Sequence, residues 1–122
     1  MPPLPYPGAR AVRFDDAAAV DCIRRFEDLA DRLDALRRID HDRLRACTAE
    51  WRGVSRHWFD RSNEEAVAAV ARAASAARHA AATLRRNISV AERMQTEVND
   101  QARRADLVSL ARLAALALPA AD

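Results

Sequence analysis

Trp51-Arg52-Gly53 separates two long segments that are almost free of glycine and proline, and the reading of this tripeptide decides the fold. Gly53 is one of only two glycines in the chain. Glycine enters left-handed backbone conformations without a Cβ penalty, so it lets a chain leave one helix and reverse into the next. Trp51 beside it is large and amphipathic, suited to plug the end of a helical hairpin. The tripeptide therefore predicts an all-α fold, an antiparallel hairpin of two long helices joined at residues 51–53.

Composition points the same way. The 122 residues include 29 alanines and 20 arginines, no lysine and six aromatics. Alanine and arginine are strong helix formers, but alanine buries little area per residue. A thin core follows, and a thin core calls for a partner. The length fits one domain. Arginine in place of every lysine, with alanine in excess, suggests a GC-rich, actinobacterial type of coding sequence, a hint about source and not about function.

The net charge is only +2, because 20 basic residues are interspersed with 18 acidic ones. Nucleic-acid binders concentrate basic charge on one face or arm, and no such concentration stands out, so no nucleic-acid partner is expected. Nor is there an apolar run of about eighteen residues to span a bilayer, so stable membrane insertion is not expected. The start Met1-Pro2-Pro3-Leu4-Pro5-Tyr6-Pro7-Gly8 lacks the regions of a cleaved signal peptide. Export, if it occurs, is expected to need no such peptide.

Residues 1–14 hold four of the five prolines and read as a flexible, extended or draped arm. Asp15 and Asp16 then precede an alanine run and supply a helix cap. Cys22, Phe26, Leu29, Leu33, Leu36, Leu44, Cys47 and Trp51 follow at helical spacing, with Ile23 and Ile39 flanking. This predicts a first helix over 16–50. Cys22 and Cys47 would lie roughly 37 Å apart along it, too far for an intrachain disulfide. They are expected to be small core-facing thiols, with a disulfide across a dimer as the alternative.

After the turn, Asp60, Ser62 or Asn63 can each cap a second helix with Glu64 and Glu65 in its first turn. Positions 67, 70, 74, 77, 81, 84, 88, 91, 95, 98 and 102 step by three and four and are apolar except Gln95, whereas Arg72, His79, Arg86, Arg93 and Asp100 recur every seven residues on the other face. Such a heptad argues for coiled-coil-like packing to about residue 105. Gln95 reads as a register device or as a tolerated polar residue near a frayed end. The hairpin is thus assigned to 15–105. Two helices leave much of their apolar stripes wet, so a second hairpin is expected to complete a four-helix bundle, with Leu29, Leu33, Leu36, Leu84, Ile88 and Val98 in the dimer seam. Residues 106–122 form a leucine-rich tail in which Leu107, Leu110, Leu113 and Leu116 step by three and Pro119 ends the run. The tail reads as a terminal segment folded onto the bundle or as a docking helix.

No chemistry stands out. His41, His57 and His79 are scattered, and no Cys/His group has metal-ligand spacing. No catalytic, cofactor or metal residues are assigned, and an enzyme is not expected. The aromatics Trp58 and Phe59 read as packing at the hairpin end. If exposed, Trp51, Trp58 and the nearby arginine suit a receptor.

Two long helices, W-x-G at 51–53, an aromatic eight residues later at Phe59, and the opening Val12-Arg13-Phe14-Asp15 before an alanine-rich helix resemble the WXG family of type VII (ESX) secretion substrates. The resemblance covers residues 12 to about 105. It implies a helical hairpin that dimerises with itself or, preferentially, with a homologous WXG-like protein, and that is exported folded after recognition by the type VII secretion ATPase. It also implies that Trp51 and Gly53 form the hinge element of the export mark, completed by a partner's Y-x-x-x-D/E tail. This chain has no such tail, because its only tyrosine is Tyr6. That departure implies the signal-less partner of a secreted heterodimer, cytoplasmic before export, as the first choice, with a leucine-rich tail that does a different job or a member that is not secreted as the other options. An intracellular coiled-coil adaptor or regulator, nucleic-acid-associated through Arg85-Arg86 and Arg103-Arg104, is the alternative.

Overall fold

The computed structural model describes residues 2–118 and consists of two helices, α1 (Asp16–Thr48) and α2 (Val54–Ala117), with no strand among the described residues. Its described residues divide into two compact units, one of residues 17–85 and one combining residues 2–16 with residues 86–118.

In the first unit, α1 packs against residues 54–85 of α2, and the contacts fix the direction. Arg56 donates to the Thr48 carbonyl, Arg78 pairs with Asp34 and, at 3.4 Å, with Asp31, and Arg85 pairs with Glu27. One number rises as the other falls, so the helices are antiparallel and the helical hairpin is as the sequence predicts. Its core is an alanine seam. Ala30, Ala74 and Ala77 are buried together, with Phe26 and Leu33 packed around them.

The seam explains a rotation of α1 relative to the expected stripe. The inward face of α1 carries Ala19, Ile23, Phe26, Ala30, Leu33, Arg37, Leu44 and Thr48, whereas Cys22, Leu29, Leu36 and Cys47 lie exposed beside it. Alanines on α2 admit a close helix only where the facing residue is also small, and Ala30, with no exposed surface, is that residue. Leu29 and Leu36, 47% and 55% exposed, are displaced to the flank. The cysteines are therefore surface thiols and not core-facing ones, as the leucine periodicity had suggested. On α2 the expected face is the observed one: within this unit Ala74, Ala77 and Ala81 are buried and Val67, Val70 and Leu84 half-buried, while Arg72 and His79 are exposed.

In the second unit, residues 4–14 lie along residues 87–106 of α2. Of the readings its prolines allowed, the draped arm is the one observed. Buried Gln95 and Asn99 hydrogen-bond its backbone, and α2 continues well past Gln95, so this residue is not at a frayed end. Ile88, Val98 and Ala102 on the same side of the helix are half-buried.

Both predicted boundaries of α2 are corrected. It begins at Val54, so Asp60, Ser62 and Asn63 lie inside the helix and cap nothing. It also does not stop near 105, since Leu107, Val108, Leu110, Leu113 and Leu116 belong to the same helix and are 52–82% exposed. The first part of the predicted tail is therefore the continuation of α2. No glycine or proline interrupts 54–117, and alanine, leucine and arginine carry the helix through. The expected stop at Pro119 and the rest of the tail beyond Leu118 lie outside the described residues.

Two predictions follow from the seam. Ala30→Leu forces bulk into a closed contact and is expected to lower stability by about 1–3 kcal/mol, against little change for exposed Ala76→Leu, both read by chemical denaturation. The Arg78 guanidinium beside Asp34 holds its carboxyl below the ordinary value of 3.8. A carboxyl whose pKa is lowered by folding contributes stability above the unfolded-state pKa, and the contribution is lost as pH falls through the folded one. The melting temperature should therefore fall more steeply below about pH 4 in the wild type than in Asp34→Asn.

Candidate functional site

The end of the hairpin is built from residues 48–63, all within the first unit. α1 stops after Thr48, whose hydroxyl donates back to the Leu44 carbonyl at 2.6 Å, and the Trp51 N–H closes a last turn on the Thr48 carbonyl at 3.1 Å. Gly53 then takes φ +108°, and its carbonyl accepts the His57 N–H at 3.2 Å as the first bond of α2. An added Cβ at Gly53 would meet nothing within 4 Å. Backbone conformation, not space, therefore requires the glycine.

Helix C-termini leave carbonyls without intrahelical donors, and here two arginines supply them. Arg52 Nη1 donates to the Ala49 carbonyl at 3.0 Å and to that of Trp51 at 3.2 Å. Arg56 donates to the Thr48 and Trp51 carbonyls, while its Nε holds Asp60 at 2.8 Å. Guanidinium groups near the negative end of the α1 dipole are favourably placed. Arg56 thus ties the start of α2 to the end of α1 across the turn.

Trp51 lies against Phe59, ring centroids 5.2 Å apart and tilted by 44°, and its indole N–H donates to Ser55 Oγ at 3.2 Å. The spacing of eight between the two aromatics acquires a reason, because the turn folds Trp51 back over the second turn of α2. Trp51 nevertheless keeps 37% of its surface exposed, so it covers the hairpin end without being sealed into it. Trp58, expected to pack there with Phe59, is instead 61% exposed on α2. Beside the turn, Leu44, Thr48, Arg56, Phe59, Asn63 and Val67 line a groove of about 440 Å³.

Of the proposed seam residues, Leu33 packs within the chain's own alanine cluster, Leu84 is half-buried in the same unit, and Leu29 and Leu36 are exposed. Ile88 and Val98 belong to the second unit and are half-buried. The histidines stay apart on the helix surfaces: His41 lies on α1, His57 and His79 on α2, all exposed. Among the described residues no group of three or more His, Cys, Asp or Glu side chains could hold a metal ion, and no helix is long and apolar enough to cross a membrane. The residues that sequence reasoning missed are Arg52 and Arg56. Their signal was present, since arginines one and five positions after a tryptophan at a helix end can reach its last carbonyls.

The chain matches no family model, no curated protein and no solved structure with which it was compared.

Gly53→Ala places a Cβ at a positive φ, at a cost of about 1–3 kcal/mol. Chemical denaturation should show this loss with helical content unchanged, since both helices persist once folded.

Proposed function

We propose that the chain is a WXG-like substrate of a type VII (ESX) secretion system, or the signal-less partner subunit of a secreted heterodimer, acting by protein–protein interaction and not as an enzyme. The observation that carries this reading is the W-x-G turn at the end of an antiparallel helical hairpin, with Trp51 partly exposed over Phe59. A half-exposed tryptophan on an arginine-fixed turn is a rigid anchor of the kind that dominates interfaces. The second support is the apolar flank that the alanine seam leaves open, with Leu29, Leu36 and Ile39 each about half exposed. A homologous WXG-like protein, or a second copy, laid on that flank would complete a four-helix bundle. The type VII secretion ATPase would then read the turn, with the protein cytoplasmic before export and secreted afterwards.

The alternative is an intracellular coiled-coil adaptor or regulator. Nucleic acid suits that role less well than a protein, because Arg85 is paired with Glu27 and Arg103 lies over Tyr6.

Light scattering separates the readings when the chain is purified alone and co-expressed with a short W-x-G protein encoded beside it. A one-to-one complex formed only with that neighbour is the expected result, and a self-sufficient homodimer indifferent to it favours the adaptor. In the complex, Trp51→Ala should leave the mass unchanged and weaken export or ATPase binding about ten-fold or more; unchanged export removes the recognition role of the turn.

A further inference from the structure

The N-terminal arm meets α2 through a row of side chains that read backbone. Asn99 donates from Nδ2 to the Leu4 carbonyl at 2.9 Å and accepts the Tyr6 N–H at Oδ1, also at 2.9 Å. Gln95, one helical turn earlier, repeats the arrangement: Nε2 donates to the Arg10 carbonyl at 3.3 Å and Oε1 accepts the Val12 N–H at 2.6 Å. Each amide thus grips the carbonyl of one residue and the N–H of the residue two further on, the pair that an extended strand presents along one edge. Gln95 Nε2 also donates to Asn99 Oδ1 at 2.9 Å, which locks the two amides together. Both side chains are more than nine-tenths buried.

The two gripped pairs are six residues apart in the arm, whereas the amides are four apart on the helix. Six extended residues span about 20 Å, and four helical ones about 6 Å. The arm absorbs the excess in a turn. The Ala9 N–H donates to the Tyr6 carbonyl at 2.8 Å across Pro7-Gly8, with Gly8 at φ +85°, the geometry of a type II turn with proline and glycine at its centre. The turn also orients Tyr6. The Arg103 guanidinium carbon lies 5.4 Å from the centre of its ring, and the Asp106 carboxylate raises the pKa of its phenol. Gln95, Asn99, Arg103 and Asp106 fall at steps of four, four and three, on one side of α2.

We propose that this row is a receptor for an extended segment with a tyrosine immediately before a Pro-Gly turn, and that the arm of a second copy of the chain exchanges into it. The occupant is argued from the arm itself, which supplies every feature the row reads. The hydrogen bonds of Leu4, Tyr6, Arg10 and Val12 to Gln95 and Asn99, and the Tyr6 contacts with Arg103 and Asp106, fall on one short stretch of α2, so they form equally well within one chain or between two. Swapping an identical element is a low-cost route to association, and within one chain the arm competes at the high effective concentration that tethering gives. This inference does not rest on the secretion reading, since a bundle formed through Leu29 and Leu36 uses neither Tyr6 nor Asn99.

Complementation tests it. Asn99→Leu leaves the arm intact and damages the receptor, while Tyr6→Ala leaves the receptor intact and weakens the arm. Amide hydrogen exchange is followed on ¹⁵N-labelled Asn99→Leu chain. Its Tyr6 N–H is expected to exchange quickly alone and about ten-fold more slowly on addition of unlabelled Tyr6→Ala chain, with no slowing on addition of unlabelled Asn99→Leu chain. No slowing in the complementary mixture, or equal slowing in both mixtures, overturns the proposal. Should either variant lose its helical circular dichroism, the wild-type chain serves. A synthetic peptide of residues 2–14 in excess is expected to speed exchange at both the Tyr6 and Val12 amides by displacing the tethered arm, and unchanged exchange overturns the proposal.

Discussion

The close contact of Ala30 with Ala74 and Ala77 is the constraint on which the hairpin depends. An alanine seam brings two helices together with little side-chain volume between them, so the hairpin gains less from burial than a leucine seam would give it. It also dictates which residues are left outside. Leucines too large for the seam remain on its flank, and the same packing that closes one face of α1 keeps another apolar face open. Charge pairs reinforce the approach along its edge, where Arg78 and Arg85 of α2 reach Asp31, Asp34 and Glu27 of α1. These pairs are partly exposed, and exposed pairs contribute little each. Their main effect is to fix the antiparallel register of a seam whose alanines, being alike, would otherwise permit slippage.

The turn has a related logic. A hairpin with so few large core residues holds its end together through polar groups. Gly53 provides the backbone reversal, Arg56 satisfies the last carbonyl of α1 and Arg52 satisfies carbonyls of the turn. Trp51 is thereby positioned by backbone and by Phe59, not by burial, and this leaves its outer surface available.

In the unit formed by the arm and residues 86–117 of α2, the helix meets an extended segment and the chemistry changes accordingly. Prolines remove donors from the arm, and an isolated extended segment leaves its remaining N–H and C=O groups without partners. Two buried amides on α2 supply what the arm cannot supply to itself. A polar residue in an apolar stripe thus serves a backbone and not a facing helix.

By itself, the sequence determined that the chain is helical, that it reverses at Gly53, and which face of α2 turns inward, because these follow from propensity, from the one interior glycine and from a periodicity that polar residues mark clearly on the opposite side. Trp51 and Gly53 were legible for the same reason. The tertiary structure decided the rest. Which face of α1 is buried depends on the size of the residues across the seam, and periodicity weights a leucine above an alanine when the narrow contact reverses that preference. Where α2 begins depends on whether the Gly53 carbonyl finds the His57 N–H, a choice to which the capping residues at 60–63 were only a plausible alternative. The order of the arm depends on Gln95 and Asn99 meeting residues more than eighty positions away, and a sequence read locally contains the Pro7-Gly8 turn and the two amides but not their encounter.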